Sequence, residues 1–214
     1  MLELDDIFVA YFETRKNKRK SRDQVEFEVH WEMNCMCLYQ DIIDRNLHPT
    51  AYTFVTLKPQ PREIFASCFR YRILHHLLHM RLNELIENKL SDRTFNNRKG
   101  MGPIKCWERI IEDIYDVSKG FTHDVWIVKL DIKGCFPNMN QDIAYKLLED
   151  IIINEYRGDD KEDLTYILQK CIYSYPALHC EKRGDITNWS ILDPEKSQFN
   201  KPPGIGAAPG HLIW

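Results

Sequence analysis

A chain of 214 residues with 43% apolar side chains and a formal charge of −3 can bury one ordinary core or two small ones, which excludes a disordered or low-complexity protein. No apolar run approaches the roughly 18 residues of a membrane span, and Met1-Leu2-Glu3-Leu4-Asp5-Asp6 opens acidic rather than as a basic secretory leader, so the expectation is a cytoplasmic protein with no membrane partner. Seven cysteines stand singly at 35, 37, 68, 106, 135, 171 and 180, which argues against a disulfide framework and for reduced thiols.

Leu4, Ile7, Phe8, Tyr11 and Phe12 recur at helical spacing, predicting a short amphipathic helix over 4–15 that leaves through the basic run 15–20. A second helix fits 25–44 and is stopped by Asn46-Leu47-His48-Pro49. Within it, Cys35 and Cys37 form a C-x-C without a second pair, a poor zinc pattern. The β-rich 52–57, the turn Lys58-Pro59-Gln60-Pro61 and the run 62–66 predict a hairpin with cations at both shoulders.

A long helix over 69–90 follows, with Ile73, Leu74, Leu77, Leu78, Met80, Leu82, Leu85 and Ile86 on its buried side. His75 and His79 sit at i and i+4 on it, but position 76 is His rather than Glu and no third ligand is evident, so packing or RNA contact is the simpler role. Residues 96–103 read as a loop, and 104–117 resumes a helical period. Between Lys58 and Arg109 there are eleven Lys/Arg against five Asp/Glu, a basic segment inside an acidic protein. Such a concentration suits either a phosphate-binding surface or a solvated helix face.

Val125-Trp126-Ile127-Val128-Lys129-Leu130 is an almost continuous apolar run that predicts a buried strand ending on Asp131. Helices are expected over 141–153 and 164–173, and the Gly- and Pro-rich end from Cys180 onward as turns and short strands. The sum is an α+β chain.

A carboxylate just past a buried strand serves a turn or a helix cap, or holds a hard cation such as Mg²⁺ that completes its shell with phosphates and water. Asp131, with the backbone carbonyl of Ile132 beside it, is the candidate metal-binding and catalytic group. Phe136, five residues on, could cover the sugar of a nucleotide whose phosphates reach that ion, and its ring would collide with a ribose 2′-OH.

Leu130-Asp131-Ile132-Lys133-Gly134-Cys135-Phe136 resembles motif A of prokaryotic reverse transcriptases. Two earlier blocks resemble the fingers of the same family. Arg62-Glu63-Ile64-Phe65-Ala66-Ser67-Cys68-Phe69-Arg70-Tyr71-Arg72-Ile73 is similar to R-x-I-x-A-x-x-F-R-D-R-V/I, and Phe95-Asn96-Asn97-Arg98-Lys99-Gly100-Met101-Gly102 to Y-x-x-R-x-G-R/K-G. Lys196-Ser197-Gln198-Phe199 followed by 203–212 looks like a divergent approach to motif B. Tyr71 stands where an acid is common, Pro209-Gly210-His211 replaces x-Gly-Asn, and no Y/F-x-D-D block occurs.

The resemblance implies a helix-rich N-terminal region over 1–50, fingers over 51–123 and a partial palm over 124–214 that ends within motif B. It implies an RNA-directed DNA polymerase of a bacterial retroelement, of the retron, diversity-generating or group II intron kind. Its partners would be an RNA template, a DNA or RNA primer, dNTPs and a retroelement accessory protein. Two Mg²⁺ ions would serve the full-length enzyme, and Asp131, without the aspartates of the missing block, would leave this chain competent to bind rather than polymerise. Lys58, Arg62, Cys135 and Phe136 would face the incoming nucleotide, with Phe136 as steric gate, and Arg70, Arg72, Arg98, Lys99 and Gly100 would face nucleic acid. Two rivals remain: a non-catalytic, maturase-like RNA-binding module, and a reverse-transcriptase-like defence polymerase that makes untemplated DNA.

Overall fold

A computed structural model describes residues 1–16, 21–174 and 180–207. It combines helices with one small sheet, an α+β arrangement, and divides into two compact units: Met1–Asn83 with Gly134–Trp214, and Glu84–Lys133.

In the first unit, α1 (Leu4–Arg15) begins at Glu3, where a capping box with Asp6 satisfies the first free N–H groups. The predicted helix over 25–44 is two helices, α2 (Arg22–Val29) and α3 (Trp31–Ile43), broken at His30. No proline or glycine causes the break. It lets Phe27 and Trp31 both turn onto Tyr11, with Trp31 stacked at 5.1 Å and Phe27 at 6.0 Å. Asn34 Nδ2 donates to the carbonyl of Phe27, satisfying a group that the interrupted helix leaves free. Phe69 at the start of α4 (Phe69–Glu87) joins this aromatic cluster through Phe27 at 5.3 Å.

Strands β1 (Ala51–Thr56) and β2 (Arg62–Ser67) form the expected antiparallel hairpin, paired from Ala51↔Ser67 to Thr56↔Arg62. The short β3 (Cys180–Lys182) adds to β1 in parallel, giving the order β2-β1-β3. Strand periodicity turns Glu63, Phe65 and Ser67 of β2 inward. Helices α6 (Gln141–Asn154) and α7 (Lys161–Ile172) pack as an antiparallel pair through Ile151, Ile152, Leu164, Ile167 and Leu168, all buried. Arg81 on α4 ties α1 to the start of α7, pairing with Asp6 at 2.7 Å and with the buried Asp160 at 3.1 Å.

The second unit holds the end of α4, a loop and α5 (Pro103–Val117). Proline at the first helical turn suits a start where no N–H partner is required. The predicted strand over 125–130 is not formed: the backbone carries no ladder, and Trp126 and Leu130 are 96% and 87% exposed. A strand exists only where a neighbour takes up its N–H and C=O groups, and none of the described residues does so for this segment. The apolar face of α5 is exposed as well, including Ile104, Trp107 and Ile111. No described helix is long and apolar enough to cross a membrane.

Candidate functional site

The hairpin presents its cations at the open end. Lys58 lies in the loop after β1 and Arg62 opens β2; both are exposed, and neither side chain has an ion pair or hydrogen bond among the described residues. The local reason is the Lys58-Pro59-Gln60-Pro61 sequence, which cannot continue a ladder and leaves both charges in solvent.

A second group of residues gathers at the start of α6. Gly134 turns the chain at φ +61°, where a Cβ would lie 2.8 Å from Asn138 Nδ2, and a short 3₁₀ turn carries Phe136 to Asn138. Asn140 then caps α6 by accepting from the N–H of Ile143. The Gly-rich stretch from the far end of the sequence lies along this turn. Gly206 N donates to Met139 O at 2.7 Å, Ala207 N to Phe136 O at 2.8 Å and Gln141 N to Gly204 O at 2.9 Å, while Asn140 and Ile205 form an antiparallel bridge. The buried Gln141 adds a bond from Nε2 to Gly206 O. Phe136 is thereby held at its backbone while the residue is 42% exposed, and Cys135 beside it is exposed.

The inward carboxylate of Glu63 joins the hairpin to the 189–198 segment that precedes that stretch. It is 8% exposed and accepts from Trp189 Nε1 at 3.0 Å, Gln198 N at 2.8 Å and Ser197 Oγ at 3.2 Å. Phe65 meets Phe199 at 5.6 Å, and the Lys182 ammonium lies 4.3 Å from the Phe199 ring and 5.4 Å from Trp189. Burial and the negative charge of Glu63 push the Cys180 thiol up from its ordinary pKa.

The chain matches no family model and no curated protein. The site must therefore be weighed on its own residues.

Three of the guanidiniums expected to face nucleic acid are engaged internally. Arg70 meets Asp41 at 2.5 Å and the carbonyl of Asn34, and Arg72 meets Asp23 at 2.9 Å. In the second unit Arg98 bonds Glu87 at 2.6 Å and the carbonyls of Ser91 and Thr94. Lys99 is exposed beside Gly100, which has φ +78°. Asp131 and Ile132 lie in the exposed extended segment, and the Asp131 carboxylate has no hydrogen bond or ion pair among the described residues. His75 is buried and His79 exposed, and the described residues contain no group of three His, Cys, Asp or Glu side chains placed to hold a metal. Positions 208–212, the rest of the motif-B-like stretch, lie outside the described residues.

Sequence reasoning passed over Glu63, Gln141, Trp189 and Gly206. A signal existed for one of them: the alternation of β2 sets Glu63 in phase with Phe65, and a carboxylate at an inward strand position requires donors.

Proposed function

We propose that this chain is the nucleotide- and template-handling front part of an RNA-directed DNA polymerase of the reverse-transcriptase kind. The observation that carries the reading is the meeting of two stretches of the sequence, 134–141 and 202–207, through the paired backbones of Phe136, Met139, Gly206 and Ala207. The first contains the last three residues, Gly134 to Phe136, of the 130–136 block that resembles motif A, and the second falls largely within the 203–212 stretch that resembles the approach to motif B. A hairpin with two unengaged cations adds a clamp for a polyphosphate.

Asp131 offers oxygen donors of the hard kind that Mg²⁺ prefers, and its carboxylate is free to take one together with the Ile132 carbonyl. An ion held there would supply Lewis-acid chemistry for a primer 3′-OH and a leaving pyrophosphate. Phe136 would exclude a 2′-OH, and Lys58 and Arg62 would neutralise phosphate charge. The RNA-binding module reading draws on the basic segment 58–109, where Arg70, Arg72 and Arg98 are already occupied by carboxylates. The same pairings remove Arg70, Arg72 and Arg98 from the template contacts of the polymerase reading, which keeps Lys58, Arg62 and Lys99 from that segment.

The test is binding of dTTP with Mg²⁺ to the chain by calorimetry. Lys58→Ala with Arg62→Ala is expected to weaken binding by about 100-fold, each charge-assisted contact contributing roughly tenfold, with unchanged thermal stability. Equal affinity in the double variant would refute the clamp and the function built on it.

A further inference from the structure

Glu63 has no part in the nucleotide contacts proposed above, yet it is the inward-facing charged residue of β2 and three donors converge on it. Those donors come from 126 to 135 residues further along the chain. Burying a carboxylate is costly unless several donors compensate it, so the arrangement holds only while the 189–198 segment stays docked on the hairpin.

From that anchor a series of short contacts leads to the gate. Gln198, whose backbone N–H donates to Glu63, places its side chain against Gly206 so tightly that a Cβ there would stand 2.0 Å from Gln198 Oε1. Gly206 and the next residue, Ala207, in turn donate to Met139 O and Phe136 O. Gln141 fixes Gly206 from its other side by donating to its carbonyl. The strand bearing Arg62 and the turn bearing Phe136 are thus joined by one buried carboxylate and one tightly packed glycine.

We infer that Glu63 is a positioning residue that couples the cationic hairpin to the Phe136 gate, so that sugar selectivity depends on a side chain that touches no nucleotide. The inference rests on the reading of Lys58, Arg62 and Phe136 as nucleotide-handling groups. Glu63→Gln keeps the shape and one acceptor oxygen but must turn its amide NH₂ towards one of two donors that cannot accept, Trp189 Nε1–H or Gln198 N–H, which bond different oxygens of the carboxylate. Trp189→Phe removes one donor and leaves the carboxylate in place.

Two measurements on the full chain test it. Amide hydrogen exchange should show the Gly206 and Ala207 N–H groups exchanging at least ~10-fold faster in Glu63→Gln, with the β1 amides unchanged, because local opening is read by such protection. The ratio of dTTP to UTP affinity should fall several-fold in the same variant, a readout that a uniformly weakened fold would not move. Trp189→Phe should shift both in the same direction by less, and it carries the test if Glu63→Gln does not fold. Unchanged protection at 206–207 overturns the coupling. Faster exchange with an unchanged dTTP/UTP ratio overturns the positioning role and leaves Glu63 as a structural anchor. If the wild-type chain binds neither triphosphate, the nucleotide reading fails and takes the positioning role with it, a result distinct from a wild type that discriminates and a variant that discriminates equally.

Discussion

Replacing Arg72 by Met separates a structural cation from a phosphate-binding one. The Arg72 side chain is 24% exposed and the Asp23 side chain 13%, and Asp23 Oδ2 accepts both from Arg72 and from the N–H of Phe69 at the first turn of α4. Asp23 thus caps α4 from another helix, and Arg72 balances the charge it brings inside. Losing one partner of a fully buried pair costs about 3–5 kcal/mol; the partial exposure here reduces that to about 2–3 kcal/mol. The unfolding equilibrium constant should rise roughly 30- to 150-fold, measured by urea unfolding followed in far-UV circular dichroism.

The pH dependence gives a second handle. Burial raises the Asp23 pKa, but the Ser21 hydroxyl, the Arg72 guanidinium and the Phe69 N–H together outweigh it and hold the carboxyl below its ordinary value. A group depressed in the folded state binds more protons unfolded, so its stabilisation is present above the ordinary value of about 3.9 and is lost as pH falls through the folded value. Arg72→Met raises the folded value and moves the onset of acid destabilisation to higher pH. A variant within about 0.5 kcal/mol of wild type at neutral pH, with the same acid profile, would refute a structural role for Arg72.

Gly206→Ala should destabilise the 197–207 segment by about 1–3 kcal/mol, since φ is +103° and the added Cβ collides with the Gln198 side chain; unaltered hydrogen exchange there would contradict this packing. Cys171 is fully buried within α7, and burial pushes its thiol up to about 12, whereas Cys37 and Cys135 are exposed. Iodoacetamide at neutral pH should therefore alkylate Cys37 and Cys135 well before Cys171, read by peptide mass spectrometry, and early modification of Cys171 would refute its placement.

The chain by itself determined the local elements, because their signals lie within a few residues. The alternating run 51–67 with its proline-containing turn specified the hairpin, and the spacing of Ile73, Leu74, Leu77 and Leu78 specified α4 with its buried side. The exposure of Lys58 and Arg62 beside prolines could also be read from neighbouring residues.

Only the tertiary structure decided which charges are engaged. Asp41 lies 29 residues before Arg70 and Asp23 lies 49 before Arg72, so composition counts these arginines as basic surface while the fold neutralises them. It also decided the break at His30, which no helix-stopping residue announces, and the fate of 125–130, whose apolar run becomes a strand only where a partner supplies hydrogen bonds. Glu63 and its three donors belong to the same class. Propensity and periodicity are set by adjacent residues, whereas pairing and burial depend on segments that meet only after the chain has folded.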